Sequence, residues 1–402
     1  MEYYNTITSQ YLYQLYRGHN RYKIRIEILT SNETVIGEIT KEISVSAQGQ
    51  ININYQQITR RSCNLTLMNI DRRFTPDANK WFWINKKFKL WIGLSSDSDT
   101  WWFAQGVYYT KSAHGDAHEL QIKGIDKGGA LDGSLKLNML DGKYVIEQGS
   151  NIVNLVKHTL GLSDKVNVLD PVAPIVDMKF NNAIIQKQIE LADGNYIGEL
   201  FSNIAESYMS DVYYDVNGRL RLEPCLGDIY ETQFDFTDDN AKFGEANVEY
   251  GYDVVNAVTV YTNINAKDSN NQEINNVSYT AYNNSPLSPI NIKSIGIRKM
   301  ESIEVAYIDG LTEKEMTERC KQTANYYLLK ESRLKLSIKF TSVIIPHLDV
   351  NKAINIKRFG MEDSEKYIVQ SITIPLTAGN MNIQAVSVND LPRDIDIERG
   401  VG

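Results

Sequence analysis

The stretch from Arg60 to Leu94, continued from Trp101 to Leu135, limits the fold more than any other part of this sequence. Cys63, Leu65 and Leu67 fall on one side of an alternating run, and Asn64, Thr66 and Met68 on the other. Successive side chains of a strand point to opposite faces, so a period of two marks a strand with one buried face. Asn69-Ile70-Asp71 closes it, and Thr75-Pro76-Asp77 is turn chemistry. Phe88, Leu90 and Ile92 start the next strand, and Val107 and Tyr109 mark a third. Leu120, Ile122 and Ile125 mark a fourth, which runs into Asp126-Lys127-Gly128-Gly129.

The same reading divides the chain into three parts. Residues 1–138 open with a short amphipathic helix, with Leu12, Leu15 and Tyr16 at helical spacing, Ser9 as cap and Gly18 as its end. Strands are predicted at 22–29 and 38–46, with a further strand or connection at 49–55. Many short strands with few helices give a barrel or sandwich. Residues 139–228 change period. Ile152, Val153, Val156 and Leu160 form one helical stripe, and Ile197, Leu200, Phe201, Ile204 and Ala205 another. Residues 212–222 read as a hairpin turning on Asn217-Gly218. This is a small α/β domain of two helices and a hairpin. In 229–402 the strand pattern returns at 254–261, 301–306, 334–340, 353–357, 367–374 and 382–388. One helix interrupts it at 312–329, where Thr312 and Glu315 make a capping box and Ala324, Tyr327 and Leu328 face the sheet. Residues 264–288, rich in Asn, Ser and Asp, are expected as a long polar loop. The fold class expected is mainly β with an α+β insertion.

The order of these segments resembles that of phage tail and baseplate hub proteins. In that family a strand ending L-T-L-x-N-x-D-x-R-(F/Y)-(S/T)-P precedes one around (K/R)-(F/V)-K-L-x-I-G. A strand G-x-(Y/F)-Y follows, and then one running into G-x-D-K-x-x-x-L-D-G. The matching residues here are Leu65 to Pro76, Lys87 to Gly93, Gly106 to Tyr109 and Gly124 to Gly133. Near the C-terminal end Pro346, Leu348, Ile354, Ile356, Tyr367, Val369, Ser371, Ile372, Leu376, Gly379 and Met381 match a second family pattern. Asn351 stands where that family commonly has glycine. The resemblance implies two β-barrel domains of tail-tube type, at 1–138 and 229–402, joined by the small α/β domain. It also implies a ring of three copies. One side of the ring would meet a sixfold tail tube or a distal tail protein, the other a spike, tip or fibre protein. The location implied is the virion tail or baseplate, after synthesis in the host cytoplasm. The same architecture serves contractile tails, long flexible tails and phage-derived bacteriocins.

Length and composition agree with that frame. A chain of 402 residues exceeds one ordinary core, so two to three domains are expected. With 42% hydrophobic and 23% charged residues it reads as a soluble folded protein. No apolar run approaches the roughly 20 residues that cross a bilayer, and the first residues lack the basic-then-apolar order of a signal peptide. Cys63, Cys225 and Cys320 lie far apart, which suits reduced thiols better than a disulfide or zinc framework. A net charge of −8 speaks against a nucleic-acid-binding surface.

Candidate chemistry is sparse. His114 and His118 would share a face on a helix and bind zinc, but Gly115 and the flanking strands put them at a hairpin tip. Asp97-Ser98-Asp99 is too short for a calcium loop, and the acidic run Asp235 to Asp239 reads as a turn. Gly124, Gly128, Gly129 and Gly133 carry no Gly-Lys-Ser/Thr and are turns, not a phosphate loop. No nucleophile–base pair can be placed, so neither catalytic residues nor a cofactor are expected. Trp81, Trp83, Trp91, Trp101 and Trp102 crowd one region. They either fill the first barrel or form a partner interface, where aromatics are enriched; carbohydrate stacking is a third reading. Two other functions stay open at this point: a tail-associated cell-wall hydrolase and a carbohydrate-binding receptor module.

Overall fold

The computed structural model describes residues 7–17, 20–40, 49–55, 57–137, 139–161, 170–185, 188–224, 232–236, 247–251, 254–262, 266–267, 273–274, 276–286, 288, 290–305, 312–331, 335–357, 364–377 and 379–387. The first part runs α1 (Ser9–Tyr16), β1 (Arg21–Leu29), β2 (Val35–Ile39), β3 (Gln50–Asn54), β4 (Arg61–Met68), β5 (Lys87–Ser95), β6 (Thr100–Gly115) and β7 (Glu119–Asp126). The middle part holds β8 (Tyr144–Ile146), α2 (Ile152–Gly161), β9 (Ile175–Val176), β10 (Ile189–Leu191), α3 (Gly198–Ser207), β11 (Ser210–Tyr214) and β12 (Leu220–Pro224). The last part follows with β13 (Thr232–Phe236), β14 (Asn247–Gly251), β15 (Ala257–Tyr261), β16 (Ala266–Lys267), β17 (Glu273–Ile274), β18 (Ser278–Tyr282), α4 (Ile292–Ile295) and β19 (Ile303–Glu304). It ends with α5 (Glu313–Glu331), β20 (Lys335–Ser342), β21 (Ala353–Ile356), β22 (Glu365–Pro375) and β23 (Met381–Ser387). The fold is mainly β with an α/β insertion.

Both ends of the chain enter one 13-stranded sheet, in the order β14-β20-β23-β22-β3-β4-β7-β6-β5-β1-β2, with β21 on β22 and β13 parallel to β21. The two ends meet where β22 pairs antiparallel with β3, from Ser371 opposite Asn54 to Pro375 opposite Gln50. The first half of β22 pairs β21 instead, from Ala353 opposite Ile368 to Ile356 opposite Glu365. A bulge between Val369 and Ser371 separates the two halves. One extra residue reverses which parity faces the core. Tyr367 and Val369 point inward before the bulge, Ile372 and Ile374 after it, and all four are buried. A single apolar core results: Ile26, Leu65, Phe88 and Leu90 from the first part share it with Phe236, Phe340, Ile354 and Val369 from the last.

Among the described residues three smaller apolar clusters lie beside this core, the smallest made of Tyr109, Ile125, Ala130 and Leu135. In the middle part α2 and α3 bury Ile152, Val156, Leu160, Leu200, Phe201 and Ile204 against Tyr214, Leu220 and Leu222. The β11–β12 hairpin turns at Asn217-Gly218 as expected, with Gly218 at φ +72°. Residues 229–402 contribute to two layers. β13 and β20 to β23 belong to the large sheet, whereas β15, β18 and β19 form a separate three-stranded sheet. α5 covers the latter with Met316, Cys320, Ala324 and Leu328. Its capping box is present: Thr312 Oγ1 accepts from the Glu315 N–H at 3.2 Å, and Glu315 Oε2 accepts from the Thr312 N–H at 3.1 Å.

The expectation of a polar loop over 264–288 is corrected in part. Residues 278–282 form β18, pairing β15 at five positions from Ala257–Tyr282 to Tyr261–Ser278. Ala281 is buried, and the Thr259 and Thr280 hydroxyls lie 2.8 Å apart across the pair. Cross-strand contacts thus outweigh the low apolar content on which the loop reading rested. Residues 263–265, 268–272 and 275 lie outside the described residues, as do Cys225, residues 41–46 of the strand expected at 38–46 and residues 237–239 of the acidic run.

Gly106 is required by its place in β6. Its φ is +139°, and a Cβ there would stand 3.0 Å from the Tyr108 ring and 3.1 Å from Arg61 Cδ. Gly106→Ala should therefore destabilise the protein by about 1–3 kcal/mol through backbone strain and overpacking. The urea midpoint measures this, and an unchanged midpoint would contradict it.

Candidate functional site

The segment 344–350 lies between the two ends of the chain and takes polar contacts from the first part along its length. Arg61 starts the strand whose Cys63, Leu65 and Leu67 face the core, and it has their parity. Its guanidinium is 2% exposed and holds both Asp349 carboxylate oxygens at 2.6 Å. Burial alone would raise the Asp349 carboxyl; the Arg61 charge and hydrogen bonds outweigh it and hold it below the usual carboxylate range. Gln105 Nε2 donates to the Pro346 carbonyl at 2.8 Å, and the Tyr22 hydroxyl donates to the Ile344 carbonyl at 2.6 Å. Tyr11 of α1 donates its hydroxyl to His347 Nδ1 at 2.7 Å, while Nε2–H points at the Gln233 carbonyl at 3.4 Å. The half-buried imidazole meets the Tyr11 ring edge-on at 5.4 Å. Asn351 has φ +58°, a left-handed conformation that glycine and asparagine adopt most readily, so the departure from the family's glycine costs little.

A second polar junction docks the middle part on the outer face of the first. Lys127 reaches Glu33 at 2.6 Å, Asp170 at 2.6 Å and the Gly218 carbonyl at 2.7 Å. Lys87 joins through Glu33 at 2.9 Å. None of these four charged side chains is more than 9% exposed. Burial pushes the Lys87 amine down, the like charge of Lys127 adds to that, and Glu33 opposes both. Such a network fixes orientation more than it adds net stability, but deleting one member leaves a buried charge uncompensated.

The five tryptophans do not form one surface. Trp81 is half-buried; it packs on Phe74, and its ring takes the space that a Cβ at Gly37 would fill. Trp101 is half-buried too and meets Tyr11 at 6.1 Å on the core side. Trp91 and Trp102 come together on the opposite face, where the Arg25 guanidinium lies 4.9 Å from each ring. Trp91 Nε1 donates to Glu27 at 2.8 Å. Trp83 is the exposed member, at 45%, next to Ile84 at 61%. The reason is the strand period: neighbours 101 and 102 must face opposite ways.

His114 is the penultimate residue of β6, and His118 precedes β7. Asp116 between them accepts from the N–H groups of His118 at 2.7 Å and Glu119 at 2.9 Å, which makes the segment a hairpin turn. Gly128 and Gly129 sit in a short 3-10 helix, Lys127–Ala130, that Asp126 caps through the Gly128 N–H at 3.0 Å. Among the described residues no group of three or more His, Cys, Asp or Glu is placed to hold a metal ion, and no helix is long and apolar enough to cross a membrane.

The architecture as a whole has known counterparts. The tail protein from Neisseria meningitidis MC58 matches with a TM-score of 0.58 at 10% identity, over 92% of this chain and 97% of that one. The 43 kDa tail protein of prophage MuSo2 from Shewanella oneidensis matches at 0.52 and 12% identity, over 92% and 98%. This chain has the fold of phage tail proteins. A Francisella PdpA–VgrG complex contains the same fold, at 0.53 and 12% identity, over 94% of this chain and 55% of that one. In sequence, a family described only as a domain of unknown function, DUF5048, matches residues 288–391. No curated protein matches.

Two measurements test the junction. Asp349→Ala leaves the buried Arg61 without its partner and should cost roughly 3 kcal/mol, read from the unfolding midpoint; a loss below about 1 kcal/mol would contradict the contact. Burial lowers His347 to about 4 from its ordinary 6.5. The unfolded chain therefore binds more protons between these values, and the contribution of His347 is lost as pH falls from 6.5 towards 4, by up to roughly 3 kcal/mol. Asp126 pulls the other way, since burial pushes its carboxyl up to about 7. The comparison is thus between wild type and His347→Gln: their stability difference should shrink on acidification, and a constant difference would contradict the assignment.

Proposed function

We propose that this chain is a structural tail component, the hub at the tail end or baseplate. The observation that carries this reading is the extent of the match: the tail-protein fold covers 92% of the chain and 97% of its Neisseria counterpart. The hub motifs at Leu65 to Pro76, Gly124 to Gly133 and Pro346 to Met381 add to it, because their residues build the shared sheet and the 344–350 junction. Three 45.7 kDa chains form a closed ring. Each copy brings two β-rich ends, at 1–138 and 229–402, so the ring offers six similar units to a sixfold tail tube or distal tail protein. The threefold side receives a spike, tip or fibre protein.

The physical task is symmetry adaptation. Rigid fusion of the two ends through β3 and β22 suits it, because six units keep their spacing only if each pair is fixed. DNA passes through the lumen, and the net charge of −8 disfavours its binding there. Trp83 and Ile84 are the exposed part of the tryptophan region and the candidate contact to a neighbouring tail protein. The chain works as a scaffold and not as an enzyme.

Electron microscopy of the assembled particle tests this. Threefold density at the tail end, with two β-rich units per subunit facing the tube, is expected. Density for this chain along the tail shaft, or in sixfold copy at its end, would reject the hub assignment.

A further inference from the structure

Polar links from the middle part and from the last part converge on one peptide unit, the one between Arg60 and Arg61. Neighbours in an extended chain point to opposite faces. Arg61 turns inward to Asp349 of the last part, and Arg60 turns outward to the middle part. The Arg60 guanidinium lies 3.5 Å from the centre of the Tyr213 ring and 4.9 Å from that of Tyr55. Its ion pair with Asp211 spans 3.3 Å. Tyr213 and Asp211 both belong to β11. Tyr55 in turn donates its N–H to the Gln370 carbonyl at 2.9 Å, at the bulge of β22. Arg60 and Arg61 are both buried, so their charges act where water and salt screen them little.

The peptide unit itself is held on both sides. Its carbonyl accepts from the Asn54 N–H at 2.8 Å, and its N–H donates to Asp126 Oδ2 at 2.8 Å. Asp126 Oδ1 holds the Gly128 N–H at 3.0 Å, beside Lys127, whose amine grips Asp170 and the Gly218 carbonyl of the middle part. The β11–β12 hairpin thus reaches one peptide by two routes. One runs through Tyr213 and Asp211 to Arg60, the other through Gly218, Lys127 and Asp126 to the Arg61 N–H. Because both groups of the peptide are bound, a tilt of Arg60 shifts Arg61. We propose that the seat of this hairpin and the Arg61–Asp349 contact form one cooperative unit, in which loosening either end loosens the other. The middle part then acts as a clamp on the seam where β3 meets β22. Coupling of this kind is carried by packed and hydrogen-bonded groups and works in both directions. It belongs to the single chain and does not depend on the ring reading.

Hydrogen exchange on the isolated full-length chain tests this, because it reads local opening amide by amide. The reporters at the seam are the N–H groups of Tyr55 and of Val350, the latter held by Asp349 Oδ1 at 2.8 Å. The β20–β23 pair, which neither route touches, is the reference. Tyr213→Leu should raise exchange at Tyr55 and Val350 about tenfold relative to the reference, the size expected when a desolvated cation–π contact is lost. Tyr213→Phe keeps the ring and should leave both rates near those of wild type. Asp211→Asn keeps the shape of β11, removes the charge facing Arg60, and should raise the same two amides by a smaller factor. In the reverse direction Asp349→Asn should raise exchange within Ser210–Tyr214. In the Tyr213→Leu, Asp349→Asn double variant the two factors should fall short of multiplying, as they do for coupled sites. A rise confined to β11 and β12, a rise no larger than that of the reference strands, or factors that multiply would overturn the coupling.

Discussion

Everything in this fold depends on one antiparallel contact, β3 against β22. It joins residues 50–54 to residues 371–375, more than three hundred positions apart, and turns two sets of strands into one sheet with one core. The Arg61–Asp349 pair and the Tyr11–His347 hydrogen bond cross the same seam. Contacts of such sequence separation close late and slowly, because chain entropy is lost before they form. Until residues 365–375 are made, the free edge of β3 is an exposed pairing site. The polar contacts at the seam add direction to this joining. An apolar interface tolerates sliding, whereas a charge-assisted contact from Arg61 Nη2 to both Asp349 oxygens holds only when the two segments are in register.

The middle part is attached by a different principle. Its own helices bury a complete core, and it meets the first part through the Lys127, Glu33, Asp170 and Lys87 network as well as by close approach of Gly218 to Val107. Charged groups set at the bottom of an interface discriminate against misplacement. In the proposed hub role, matching a neighbour's spacing draws more on that than on added net stability. The two junctions thus point to the same physical outcome, a subunit whose parts keep fixed relative positions.

Much of this was legible in the residues. The Thr312–Glu315 capping box, the Asn217-Gly218 turn, the stripes of α2 and α3 and most strands follow from local chemistry. Strand parity also held unused information. Arg61 shares the phase of Cys63, Leu65 and Leu67, so a buried charge with a partner was implied. Trp101 and Trp102, adjacent in a strand, had to separate to opposite faces. Other features had no local signal. The partner of Arg61 is 288 residues away, and β18 forms in a polar stretch because β15 offers it a pairing edge. These are properties of the assembled sheet, which single-segment patterns do not encode.

The proposed role makes this subunit a threefold object with two fixed β-rich ends. The most direct measurement is its copy number per tail, obtained by quantitative mass spectrometry of purified particles against a tube protein of known sixfold rings. Three copies are predicted; six copies, or a number that grows with tail length, would contradict it.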